Sequence, residues 1–251
     1  MSWLDWLPGR RPPPPIEDAL WRDALAACPL ARRLSADDRQ QLRALAARFL
    51  QRKRFYANGL ELDALQRLLI AMQACIPILH VGFRALRGWT GVIVYPGEFK
   101  ARHQHHDAST GVITEGDRVL SGEAWHIGPL VLSWAAVQQD LAQPWDGYNV
   151  VAHEIAHKLD MLDGPPDGVP PLPRGMSRRR WIEVFQRAYD RLAHDVHRGH
   201  ATLIDEYAAT DAGEYFAVVS ELHFSDPAQL DRAEPDVAGL LRAYYGPSPA
   251  A

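Results

Sequence analysis

The stretch that decides the fold of this chain is residues 149–164, NVVAHEIAHKLDMLDG. Asn149 is a favourable N-cap, and the residues after it predict a helix over 150–162. The apolar residues that repeat on one side at helical spacing are Val151, Ile155, Leu159 and Leu162. They predict that this side of the helix packs on the core, which leaves the polar side available to bind a ligand.

The polar side of the helix carries the pattern HExxH, formed by His153, Glu154 and His157. Positions i and i+4 differ by about 40° around a helix axis and by about 6 Å along it. Both imidazoles can therefore reach one zinc ion at about 2.0–2.1 Å. Glu154 can take a proton from a zinc-bound water and pass it to the leaving amine. The pattern also occurs by chance in ordinary helices, but the N-cap and the apolar stripe favour a zinc peptidase with one Zn²⁺ per chain.

A catalytic zinc needs a third protein ligand, and three acidic residues are candidates. Asp163 lies six residues after His157, but that arrangement needs glycine where Asp160 stands. Glu214 lies on a later predicted helix, and Glu221 shares its face. Spacing does not separate Glu214 from Glu221. We expect Asp160 and Asp163 to orient the imidazoles, to cap the helix end or to bind the following loop.

The rest of the chain predicts an α+β fold, mainly helical, with a small, mostly antiparallel sheet. Helices are predicted over 16–28, from Ser35 to about 50, and over 62–79, 178–197, 213–224 and 237–245. Short strands with glycine punctuation are predicted at 91–96, 112–114, 119–125 and 129–134, and a loop at 164–175. We expect one zincin-like domain over 16–251, preceded by a flexible Pro-rich segment, residues 1–15, whose Trp3, Leu4, Trp6 and Leu7 dock on the body or on a partner.

Composition excludes several classes of protein. Of 251 residues, 47% are hydrophobic and 23% charged, and the net charge of −4 gives no basic excess for nucleic-acid binding. The longest apolar run, Leu68–Leu79, is interrupted by Gln73 and Pro77 and is shorter than the roughly 20 residues that span a bilayer. With no signal peptide either, we expect a cytoplasmic protein without membrane contact, with Cys28 and Cys75 as buried free thiols.

Three further features have ordinary interpretations. The histidine-rich stretch His103–His106 predicts a solvated turn rather than a metal site. Residues 122–125 predict an edge strand, to which an extended peptide could add through backbone hydrogen bonds. His223 is expected at the surface.

Several blocks of the sequence resemble the Mlc titration factor A (MtfA) family of zinc metallopeptidases. Besides residues 149–164, the blocks are LSGEAW at 120–125, IDEYAAT at 204–210 and EYFAVVSE at 214–221. The likeness extends from about residue 16 to 245, and the family is similar to the catalytic domain of anthrax lethal factor. The sequence departs from the family pattern at Tyr215 and at residues 222–224, away from the implied ligands.

The resemblance implies roles for five residues. His153, His157 and Glu214 are the implied zinc ligands, and Glu154 is the implied base. Tyr207 is the implied hydroxyl donor near the metal, where a phenol could hydrogen-bond the oxyanion formed from a peptide carbonyl. From the residues alone, Tyr207 is instead typical of a core tyrosine with a satisfied hydroxyl.

The resemblance implies two functions. One is aminopeptidase-like hydrolysis of a peptide substrate. The other is binding of Mlc, the repressor of glucose-uptake genes, with little or no catalysis by the binding protein.

Overall fold

The structure is a computed structural model that describes residues 12–97 and 128–250. Predictions that fall on other residues lie outside the described part. These are the strands at 112–114 and 119–125, the edge strand within the latter, the His103–His106 turn and the docking of Trp3, Leu4, Trp6 and Leu7. The boundary predicted between residues 15 and 16 stays a prediction.

The four N-terminal helices are α1 (Asp18–Ala27), α2 (Pro29–Arg33), α3 (Ala36–Arg52) and α4 (Ala64–Cys75). Of these, the two longest begin at a side-chain cap. Ser35 Oγ accepts a hydrogen bond from the backbone N–H of Asp38 at 3.0 Å, which confirms the predicted cap. A capping box of Asp63 and Gln66 starts α4, and Pro77 follows its end. Cys28 and Cys75 are buried free thiols, as predicted.

Within the described residues, strands β1 (Arg54–Ala57), β2 (Gly91–Tyr95) and β3 (Leu130–Ser133) form a sheet in that order. Both pairings are parallel, with Phe55 opposite Val92 and Val92 opposite Leu130. The predicted antiparallel pairing is therefore wrong for these strands.

The connections between the strands explain the error. Residues 58–90, which include α4, separate β1 from β2, and residues 96–129 separate β2 from β3. Long crossovers of this kind join parallel neighbours, whereas short strands with glycine punctuation are typical of an antiparallel sheet. Strand β1 was not predicted at all, because it follows α3 after a single residue.

The C-terminal half is helical and places the residues of interest. Its α-helices are α5 (Trp134–Ala142), α6 (Val150–Asp160), α7 (Arg178–His197), α8 (Ala212–Ser225), α9 (Pro227–Ala233) and α10 (Pro235–Tyr245). A 3₁₀ turn, Glu206–Ala209, precedes α8. The helices predicted over 150–162, 178–197, 213–224 and 237–245 are confirmed to within two residues at each end.

Helices α6 and α8 pack against each other at the centre of the core. Every residue of α8 from Gly213 to Ser225 is buried, so this helix has no solvent face. The prediction that His223 lies at the surface is wrong for that reason. It is 1% exposed and packs against the rings of Phe224 and Tyr245.

In the described ranges, no helix is both long and apolar enough to cross a bilayer.

Candidate metal centre

Helix α6 presents the HExxH residues on a buried surface. Asn149 Oδ1 accepts a hydrogen bond from the backbone N–H of Ala152 at 2.8 Å, which starts the helix at Val150. From Val151 to Asp160 every residue is buried except Glu154, which is half-buried. Glu154 is therefore the most exposed polar residue of this stretch.

Three side-chain atoms converge beside α6. His153 Nε2 and His157 Nε2 lie 3.1 Å apart, and Glu214 Oε2 lies 3.2 Å from the first and 3.3 Å from the second. A tetrahedral zinc with ligands at about 2.0–2.1 Å needs ligand atoms about 3.3–3.4 Å apart. The donor set of two imidazole nitrogens and one carboxylate oxygen is one that zinc prefers. These three residues could therefore hold a metal ion, and their spacing and donor atoms fit zinc.

The start of α8 sets the position of Glu214. Asp211 Oδ1 accepts a hydrogen bond from the backbone N–H of Glu214 at 2.9 Å, which places Glu214 in the first turn. Burial by itself raises the pKa of Glu214, but its hydrogen bonds with His153 and His157 outweigh burial and hold the pKa well below its ordinary value. Glu214 is thus a carboxylate anion that faces both imidazoles.

Glu221 lies two turns further along the same face of α8, but it contacts the other side of His153. Its Oε1 lies 2.7 Å from His153 Nδ1, and its Oε2 accepts a hydrogen bond from the backbone N–H of Asn149 at 2.7 Å. A carboxylate on Nδ1 favours the tautomer that leaves the Nε2 lone pair free for a metal. Of the acidic candidates, the structure therefore brings Glu214 to the cluster and uses Glu221 to orient His153.

The other two aspartates lie outside the cluster. Asp163 is exposed. Asp160 is fully buried, and its Oδ2 accepts a hydrogen bond from the backbone N–H of Gly168 at 2.8 Å. Of the roles expected for Asp160, the structure shows the contact with the following loop. Burial raises the pKa of Asp160 to about 7, despite that hydrogen bond.

Tyr207 lies beside the cluster on the 3₁₀ turn. Asp205 Oδ1 accepts a hydrogen bond from the Tyr207 backbone N–H at 2.8 Å and fixes the turn. The Tyr207 ring centroid lies 6.3 Å from that of His153, and its hydroxyl is buried next to Glu214. Burial first, and then the charge of Glu214 and the hydrogen bond with it, raise the pKa of Tyr207 well above its ordinary value. The phenol is protonated at neutral pH and can donate a hydrogen bond.

Polar residues behind the cluster were not recognised from the sequence. Asn149 Nδ2 donates to Gln73 Oε1 at 3.0 Å, so Gln73 of α4 supports the residue that contacts Glu221. Asp140 Oδ2 accepts a hydrogen bond from the backbone N–H of Val150 at 2.7 Å, and burial raises the pKa of Asp140 to about 7. The seven-residue spacing between Glu214 and Glu221 does single out Glu221, but as an alternative metal ligand rather than as a partner of His153.

Comparison with known proteins gives a consistent result. The family model described as glucose-regulated metallo-peptidase M90 matches residues 6–246. An uncharacterized protein of Synechocystis sp. is 38% identical over 248 residues, which cover 97% of this chain and 89% of that protein. Mlc titration factor A of Salmonella arizonae is 40% identical over 215 residues, which cover 84% of this chain and 83% of that protein. Mlc titration factor A of Escherichia fergusonii is 35% identical over 240 residues, or 94% of this chain and 89% of that protein.

Proposed function

The chain belongs to the M90 metallopeptidase family, also represented by proteins named Mlc titration factor A, and from this premise we propose that it is a zinc-dependent, aminopeptidase-like enzyme. The observation that carries the proposal is the convergence of two imidazole nitrogens and one carboxylate oxygen within 3.3 Å of one another. In this proposal His153, His157 and Glu214 hold one zinc ion.

Zinc, when bound, would polarise the peptide carbonyl and make a water molecule more acidic. Glu154 follows the first ligand in the chain and is half-buried, so its carboxylate can accept a proton from the attacking water and donate it to the leaving amine. Tyr207 keeps its proton and can donate a hydrogen bond to the oxyanion that forms from the carbonyl. Glu221 keeps His153 in the tautomer that a metal ligand requires.

The experiment compares zinc content and peptide hydrolysis in the wild type and in the variants Glu154→Gln and Tyr207→Phe. We expect Glu154→Gln to keep its zinc and to lose at least about 100-fold in kcat, because the amide cannot accept the proton. We expect Tyr207→Phe to lower kcat by about 10- to 1,000-fold with KM little changed, as for loss of an oxyanion donor. Unchanged turnover in Glu154→Gln would refute the mechanism, and a purified wild type that takes up no zinc would refute the metal assignment.

A second function has support in the names of the relatives, which describe titration of a factor called Mlc. In this alternative the chain sequesters an Mlc-type transcriptional repressor, and catalysis contributes little. The two proposals are separated by binding of purified repressor to metal-free protein and to Glu154→Gln. Tight binding by metal-free protein, together with no cleavage of any peptide, would favour the repressor-binding function.

A further inference from the structure

A groove of about 720 Å³ opens beside the proposed metal ligands His153, His157 and Glu214, which we call the metal-ligand cluster. It lies between the loop 146–148, the segment 201–207 and one face of α8, and we call it the Tyr148 groove. Tyr207 and Glu221 line its inner end, and Glu221 lies 2.7 Å from His153 Nδ1. A group that fills this groove therefore contacts Tyr207 and Glu221, which themselves contact Glu214 and His153 of the proposed metal site.

The Tyr148 groove has an apolar base, and two large, mainly apolar side chains on its walls are exposed. Ile204, Val218 and Leu222 are buried at its base. Tyr148 is 53% exposed and Leu203 is 54% exposed, although both are large and apolar. Exposed apolar side chains that flank a concave surface are typical of binding sites, because a ligand removes them from water.

The charge of the Tyr148 groove is entirely negative among its described lining residues. Asp146, Asp205, Glu206 and the buried Glu221 contribute carboxylates, and no lysine, arginine or histidine occurs in this part of the lining. The Tyr148 hydroxyl donates to Asp205 Oδ2 at 2.8 Å, and the Tyr148 backbone N–H donates to Asp146 Oδ1 at 3.1 Å. The first bond fixes the end of the aromatic ring beside Asp205, and the second fixes the backbone of Tyr148 beside Asp146. The Asp205 hydrogen bond, with burial, raises the pKa of Tyr148 to about 12.

We propose that the Tyr148 groove binds the side chain of a lysine or arginine of the peptide substrate, close to the bond that is cleaved. This proposal rests on the proposed peptidase function. A lysine or arginine has a long apolar stem and a cationic head, so its stem can cover Tyr148 and Leu203 while its head faces the carboxylates. A leucine would fill the apolar part alone, and a glutamate would be repelled.

The experiment measures binding separately from catalysis. Glu154→Gln protein loaded with zinc is titrated with fluorescent hexapeptides in which Arg, Leu or Glu is scanned through every position, and binding is followed by anisotropy. We expect one position at which the Arg peptide binds at least about 5-fold more tightly than the Leu peptide. At that position the difference in affinity from the Glu peptide is larger still. Higher salt reduces this preference, since the carboxylates lie at the rim of the groove.

A double variant, Asp146→Asn with Glu206→Gln, tests the groove itself in the same background. Each exposed carboxylate contributes about 1.5- to 5-fold to binding of an opposite charge, so the Arg peptide loses roughly 2- to 25-fold. The Leu peptide changes less than about 2-fold, and zinc content is unchanged. Glu61→Gln, which neutralises an exposed carboxylate outside the groove lining, is the matched control and changes neither affinity.

The proposal is overturned by equal affinity for Arg, Leu and Glu at every position, by a preference for Leu throughout, or by an Arg preference whose size is the same in the double variant as in its parent. Hydrolysis by the wild type is scored separately. Cleavage without any side-chain preference would refute the groove and leave the peptidase standing. Binding with the expected Arg preference, but without cleavage of any peptide, would support the groove and refute the peptidase.

Discussion

Replacement of Glu221 by glutamine tests whether this carboxylate orients a metal ligand. In the structure Glu221 accepts from two donors, the Nδ1–H of His153 and the backbone N–H of Asn149, each at 2.7 Å. Glutamine has one acceptor oxygen, and its NH₂ group must face the other donor. One buried donor therefore loses its acceptor, which costs about 1–3 kcal/mol.

The position of the lost bond decides which property changes. If His153 loses its acceptor, the zinc affinity falls by about 10- to 100-fold, equivalent to roughly 1.4–2.7 kcal/mol. If Asn149 loses it, the larger effect is a fall in the free energy of unfolding, and the bond to His153 remains but is weaker. Because the charged bond to the imidazole is also weakened when the acceptor becomes a neutral amide, we expect the dissociation constant for zinc to rise by at least about 10-fold in either orientation.

The assay is competition for zinc between the protein and a chromophoric chelator, with unfolding followed in parallel. Glu234→Gln is the matched control, because Glu234 is a buried carboxylate that pairs with Arg191 outside the metal-ligand cluster. We expect this control to lower stability without changing the zinc affinity. A Glu221→Gln protein that binds zinc as tightly as the wild type would show that the contact with His153 does not tune the site.

Three further predictions concern the metal, pH and the loop after α6. Saturating zinc at 100 times its dissociation constant should stabilise the fold by about 2.7 kcal/mol, so a chelator should lower Tm by roughly 5–10 °C in calorimetry, and added zinc should restore it. Burial lowers the pKa of His223 from 6.5 to about 4, so as pH falls the unfolded state binds the proton before the folded state does. The free energy of unfolding should therefore fall by about 3 kcal/mol between pH 6.5 and pH 4. Denaturant titrations should show that His223→Gln lacks this loss relative to the wild type; an identical pH dependence would contradict the assignment. Gly168 has φ +77°, and a Cβ there would lie 2.7 Å from the Ala212 carbonyl oxygen, so Gly168→Ala should destabilise by roughly 3 kcal/mol or more. Gly175 has φ +97° and open space around it, so Gly175→Ala should cost only about 1–2 kcal/mol in the same denaturant assay, and equal losses would show that the contact is unimportant.

The parts of the fold that could be predicted are those whose signal is local. The N-caps at Ser35 and Asn149 and the apolar stripe of α6 lie within a few residues of the helices that they define. The pairing of strands depends on contacts between residues far apart in the chain. Strands as short as β1 or β3 have the same pattern whether their neighbour runs parallel or antiparallel, so the direction could not be read from them.

The same distinction applies to the candidate site. His153, Glu154 and His157 were found because one helical turn brings them together. Glu214 and Glu221 have the same residue type and share a helix face, and only the position of α8 against α6 separates the carboxylate that faces Nε2 from the one that faces Nδ1. Residue spacing within α8 alone contains no such information.

The proposed metal ligands lie on helices α6 and α8, whose packing does not depend on a metal ion. Helices α6 and α8 are buried along almost their whole length and are capped by Asn149 and Asp211. Their apolar contacts and caps do not require a metal, unlike a small zinc domain in which metal binding supplies most of the folding free energy. We therefore expect the metal-free chain to remain folded with its ligands already in place. A metal that binds there then loses little free energy to ordering of the chain, which favours tight binding.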